Sequence, residues 1–156
     1  MTAKQKLWTL AKSDAGMRAI FGTNPFRWCD VRLVPGYIPR ARGSNAPGGG
    51  TSTVIVRRIS TLSTYVMLGQ NPLEKIRFQL DVLDLDENIC EASAIALINW
   101  LGTVDLVSGA QFGSPVTTPP QFPNFNNNRR SGLYPQPGQV VYAESIDEWV
   151  YNDTSN

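Results

Sequence analysis

The stretch IRFQLDVLDLDENICEASAIALINWL, residues 76–101, decides the fold, because it changes its period half-way along. Ile76, Phe78, Leu80 and Val82 alternate with Arg77, Gln79, Asp81 and Leu83. That period of two belongs to a strand with one face on a core. From Ile89 the apolar residues Ala92, Ala94, Ile95, Leu97, Ile98 and Leu101 recur at spacings of three and four, the mark of an amphipathic helix. Five acids, Asp81, Asp84, Asp86, Glu87 and Glu91, crowd the join between the two patterns. Such a density invites a metal site or a carboxylate pair, but a strand handing over to a helix asks for acids on structural grounds alone. Asp84 and Glu87 have the spacing of a capping box, and Asp86 is a competing N-cap; either satisfies orphan amides at the positive end of the helix dipole. The stretch therefore reads as scaffolding.

Outward from it, Thr53–Ser60 (TVIVRRIS) is β-branched and predicts a strand, Tyr65–Leu68 a shorter one, and Gly69–Pro72 a turn. Upstream, Ala3–Ala11 has helical spacing, and Ser13 or Asp14 caps a second short helix through Phe21, stopped by Gly22. Cys29, Val31 and Leu33 alternate with Asp30 and Arg32 before Pro35. Downstream, Val104–Val107 is a short strand and Val140–Tyr151 a closing one. Two long loops remain. Residues 35–52 hold prolines, Arg40, Arg42 and a triple glycine, and residues 108–139 hold six prolines and the aromatics Phe112, Phe122, Phe125 and Tyr134. A loop as long as the second is functional or disordered, and its aromatics favour an arm that gains order against a partner.

With 156 residues, 42% hydrophobic and 17% charged, the chain predicts a single domain. Its strands outnumber the helices available to cross them. The expected class is α+β: one mostly antiparallel or mixed sheet with helices packed on one face, plus long loops at 35–52 and 108–139. No apolar run is long enough to span a membrane and the N-terminus lacks a signal-like core, so a soluble protein made in a cytoplasm, with Cys29 and Cys90 as packed thiols, is expected.

Catalytic patterns are missing. The chain has no histidine, so the common serine and cysteine arrangements lose their base. APGGGTST (46–53) has the glycines of a phosphate loop without its lysine. The expectation is a protein that is not an enzyme and needs no cofactor or metal. Arg40, Arg42, Arg57, Arg58, Arg129 and Arg130 are available to phosphates, but no nucleic-acid-binding signature accompanies them, which points at most to lining a surface past which DNA travels.

Charge is unevenly distributed. Residues 1–77 carry twelve Lys and Arg against three acids, a balance of +9, and residues 78–156 carry two against ten, a balance of −8. Either strands from the two halves pair and fold the asymmetry away, or opposite charge is left on opposite faces, which suits head-to-tail association of identical subunits.

The succession VIVRRIST (54–61), the strand with Arg77, Gln79, Asp81 and Val82, the helix with Glu91 and Ala92, and the ending ESIDEWVY (144–151) with Trp149 and Tyr151 resembles the tail-completion or tail-terminator proteins of long-tailed bacteriophages. Ser13–Phe21 and the strand-like Arg27–Val34 resemble that family's N-terminal helix and strand. The resemblance covers about half of the chain and leaves out both long loops. It implies a structural virion protein assembled in the host cytoplasm: a homohexameric ring at the end of the tail tube that stops tube polymerisation and joins the tail to the head connector. Its partners would be itself, the tail tube protein and the connector proteins, with DNA passing through the lumen without sequence readout. Another neck protein such as a head–tail adaptor ring, or a free-standing soluble binding module, is the alternative. The charges expected to serve subunit contacts are Arg57 and Arg58 against Glu144, Asp147 and Glu148, with Phe122, Phe125, Arg129 and Arg130 of the arm gripping a neighbour or the tube.

Overall fold

A computed structural model of the chain describes residues 2–37, 39, 51–66, 69–106, 110–111 and 129–153. The elements run α1 (Ala3–Ser13), α2 (Ala15–Phe21), β1 (Trp28–Asp30), a 3-10 turn at Pro35–Tyr37, β2 (Thr53–Val66), β3 (Gly69–Asp84), α3 (Glu87–Leu101), β4 (Val104–Asp105), β5 (Ala110–Gln111), β6 (Arg129–Tyr134) and β7 (Val141–Asp153). Five strands form one mixed sheet in the order β1-β2-β3-β7-β6, in which β1 runs parallel to β2 and every other pair is antiparallel. β4 and β5 form a separate small ribbon. This is the α+β single-domain fold expected from the alternation in 76–83 and the helical spacing after it.

The alternation decides which face meets the helices. Val54 and Val56 of β2, Ile76, Phe78, Leu80 and Val82 of β3, and Ile146 and Val150 of β7 are buried in one cluster with Leu7 and Ala11 of α1, Met17 and Phe21 of α2, and Ala94, Leu97, Ile98 and Leu101 of α3. Aromatic rings bind the helices to the β1 end: Phe21 meets Trp28 edge-on at 5.9 Å between centroids, and Trp28 meets Trp100 at 6.4 Å. Each fully buried Leu, Ile or Phe contributes about 1.5–3 kcal/mol, against about 1 kcal/mol for a helix cap. Packing therefore decides that α3 forms, and its cap decides where it starts.

That cap is Asp86, whose side chain accepts from the backbone amides of Asn88 and Ile89. The Asp84–Glu87 box is not the device used. Asp84 is buried at the end of β3, where it accepts from Thr51 Oγ1 and Ser52 Oγ at 2.8 Å each and from the Asp86 amide at 3.0 Å, while Glu87 lies in the first helical turn. Of the two candidates for the second helix, Asp14 is the cap, accepting from Met17 N at 2.9 Å, and Gly22 ends α2 at φ 85.

Three expectations change. β2 continues to Val66 and pairs it with Gly69, so Tyr65 and Val66 extend β2 and Gly69–Pro72 belong to β3 rather than to a turn; Leu68 lies outside the described residues. Pro72 is tolerated because Asn71–Leu73 have no β2 partner and β7 reaches only to Leu73, so its missing N–H breaks no ladder bond. β1 ends at Asp30 because Val31 turns to φ 69. Residues 129–134, expected within the arm, form β6. The rest of that arm at 112–128, with Phe122 and Phe125, and the loop at 40–50, with Arg40 and Arg42, lie outside the described residues.

Candidate interaction face

The second face of the sheet points away from the helices and divides into two zones. Near the C-terminal end of β3 a small apolar cluster of Cys29, Ile55, Leu83 and Val141 is covered by Leu33, Tyr37 and Tyr134. Thr53 Oγ1 donates to Tyr37 O at 2.6 Å, and Gln139 Nε2 donates to Pro39 O at 3.3 Å, holding both loops over it.

The other zone is a ladder of polar and aromatic side chains set by strand register. Gln79 stands opposite Arg57 on one side and Asp147 on the other, and Asp81 stands opposite Ser145. Diagonal neighbours two residues away are within reach of long side chains. Arg57 accordingly crosses to Asp81, which also accepts from Gln79 Nε2 at 3.0 Å and Ser145 Oγ at 2.6 Å. Arg77 crosses to Asp147 in a two-pronged pairing, with Nε at 2.8 Å from Oδ1 and Nη2 on Oδ2. Lys75 lies over the Trp149 ring at 5.0 Å and the Tyr151 ring at 5.9 Å, completing the row. The Arg77 bond and charge hold the Asp147 carboxyl below its ordinary range, with a smaller pull from Arg130, against the opposing effect of burial. The same pairing raises the Arg77 guanidinium.

The expected contact charges fall in three places. Arg57 and Asp147 are in this ladder, each held by a partner within the chain. Arg58 lies on the helix side, 3.6 Å from Glu74. Glu144 and Glu148 are buried on the helix side at 5% and 1% exposure, so neither is a surface charge of the single chain. Their position follows from the pairings Val82↔Glu144 and Phe78↔Glu148, which put them on the core side of β7. Glu144 accepts from Ser131 Oγ at 2.7 Å and lies 3.7 Å from Arg129 Nε; Arg129 also reaches Glu91 of α3 at 3.4 Å. Arg129 thus pins β6 to β7 and α3. Arg130 is exposed beside Asp147. Phe122 and Phe125 lie outside the described residues.

The crowded acids of 81–91 do not converge. Asp81 faces the ladder, Asp84 turns under α3 to Ser52, Asp86 caps the helix and Glu91 meets Arg129. Among the described residues no group of three His, Cys, Asp or Glu side chains is placed to hold a metal ion. Cys90 lies on the buried side of α3, its Sγ 3.2 Å from Val82 O, and burial first, then the Glu144 and Asp84 charges, push its thiol up to about 12.

Sequence reasoning missed β6 and the ladder's partners Ser145 and Lys75. β6 had one signal, the Pro-Gln-Pro-Gly turn at 135–138 between two runs able to pair, with Gly138 at φ 73. The ladder had none, since it depends on register. No family model matches this chain, and no curated protein sequence matches it.

Proposed function

We propose that the chain is a structural subunit of a bacteriophage tail, forming a homo-oligomeric ring at the end of the tail tube, where it ends tube growth and meets the head connector. The observation that carries this reading is where the residues of the resemblance fall. Of those dispersed between residues 54 and 151, Glu91 and Ala92 lie on α3 and the rest gather on three adjacent strands, β2, β3 and β7, where Arg77, Gln79, Asp81, Trp149 and Tyr151 share the face turned away from the helices. A row of internally paired charges and amphipathic rings is suited to broad contact with protein, because its ions are already neutralised and its rings offer area without a large apolar patch.

The test is native mass spectrometry of the purified full-length chain, alone and with isolated tail tubes, followed by negative-stain imaging of the tubes. A ring, free or formed on tube ends, is the expected result. A chain that stays monomeric and ignores tubes overturns the reading, and a chain that binds isolated connectors while ignoring tubes replaces it with a neck adaptor.

A further inference from the structure

Among the described residues both borders of the sheet are open, and their surroundings differ in charge. On one side β1 covers β2 only at Val54–Val56, and residues 57–62 have no strand beside them among the described residues. On the other side β6 pairs with β7 in unbroken register through six residues, and its outer side carries no strand among the described residues. Open borders are usually blunted by bulges, proline or lysine. β2 has register shifts between Arg58 and Ser60 and between Ser63 and Tyr65, whereas β6 has no shift, no proline and no lysine. Large aliphatic side chains stand out at both: Ile59 is 45% and Leu62 55% exposed on β2, and Leu133 is 66% exposed on β6.

The sheet order also turns the part of the charge asymmetry that is not paired off within the sheet into a spatial one. β1 and β2, from the basic half, form one border; β7 and β6, from the acidic half, form the other, with β3 between them. Exposed Arg32 follows β1, Arg58 lies on β2, and Lys12 lies over Trp8 beside the same border. Exposed Glu91 of α3 is joined to β6 through Arg129, and Asp86 and Glu87 are exposed at the start of the same helix. Arg57, Arg58 and Arg129 face carboxylates of their own chain, whereas Arg32 after β1 and Arg130 on β6 are exposed.

We propose that copies of this chain associate head to tail by continuing the sheet, the β6 border of one copy adding to the β2 border at 57–62 of the next. The occupant of each border is thus the opposite border of a second copy. Backbone hydrogen bonds supply the affinity of such strand addition and complementary charge supplies its direction. Using two unlike surfaces makes the contact heterologous, so it repeats; when the rotation closes, every border is paired and none is left open. This inference rests on the ring reading and names the surfaces that make the ring.

The experiment blocks each border with lysine. One full-length variant carries Ile59→Lys with Leu62→Lys, and the other Gly132→Lys with Leu133→Lys. The replaced aliphatics are exposed and a Cβ at Gly132 meets nothing within 4 Å, so both should fold, which circular dichroism and melting check. By native mass spectrometry, with one variant isotopically labelled, each alone should self-associate roughly tenfold more weakly or worse than wild type. Their mixture should form heterodimers that grow no further, since one good border remains on each. Unchanged assembly of either variant, or a mixture that yields no heterodimer while wild type assembles, overturns strand addition and leaves the ring reading standing. A wild-type chain monomeric both alone and with tail tubes overturns the ring reading and this inference together.

Discussion

Val31 is the non-glycine residue with positive φ among the described residues, at φ 69, and it is β-branched, the side-chain type that tolerates this region least. Its amide donates to Val56 O at 3.0 Å, and its carbonyl accepts from Arg57 Nε at 3.1 Å, so the turn that ends β1 is held from both sides. Such a backbone costs on the order of 1–3 kcal/mol. The side chain is 51% exposed and offsets little of that by packing. Val31→Asn, which suits the left-handed region, should raise Tm by about 2–4 °C, the shift expected of roughly 1 kcal/mol in a domain this size; a lower melting temperature would show that the valine is better packed than its exposure indicates. Asp147 sets an acid limit. Its carboxyl is depressed in the folded chain, so its contribution is present above the ordinary carboxylate range and is lost as pH falls through the folded value. Denaturant melts from neutrality down to about pH 2 should therefore show a smaller acid-side loss for Asp147→Asn than for wild type. Cys90 acts at the opposite limit. Raised to about 12, its thiol keeps a proton that the unfolded chain gives up earlier, and stability falls above the ordinary thiol range. Cys90→Ala should flatten that alkaline loss.

At the level of elements, the two acids before α3 do different work. Asp86 serves one helix end from an exposed position, whereas Asp84 ties together Thr51, Ser52 and the Asp86 amide under that helix, with Ser52 Oγ also 2.8 Å from Ser93 Oγ. Asp86→Ala should cost about 1 kcal/mol, a cap's usual worth. Asp84→Ala should cost roughly 2–3 kcal/mol, since it strands buried donors. Equal losses in urea melts would mean that the Asp84 cluster is solvated and adds nothing beyond a cap. Helix legibility differed from strand legibility for a related reason. The limits of α2 and α3 depend on Asp14, Gly22 and Asp86, all within a turn of the helix, and such signals are readable. β6 was hidden because RRSGLY has neither alternation nor β-branched residues; it is a strand only because β7 lies beside it.

For the whole molecule, the sheet folds part of the charge asymmetry away, since Arg57 meets Asp81 and Arg77 meets Asp147 across the two halves, and it leaves exposed Lys12, Arg32 and Arg58 toward the β1-β2 border and exposed Asp86, Glu87 and Glu91 at α3. Association driven by these borders is screened within about 8–10 Å at ordinary ionic strength. Sedimentation of the full-length chain should therefore show oligomers that weaken steadily between about 0.05 and 1 M salt. Oligomers that strengthen over that range would assign the contact to apolar burial instead.

The residues alone determined the class of fold, the helices with two candidates for the cap of each of α2 and α3, and which side of β3 is buried, because these depend on periods and contacts within a few positions of each other. Only the tertiary structure decided which carboxylate meets which arginine. Asp81, Asp147, Glu144 and Glu148 look alike as exposed acids in a row of letters. Pairing of β3 with β7, some seventy residues apart, turns Asp147 toward Arg77 and puts Glu148 beside Phe78 in the core, and a slip of one residue would exchange the two.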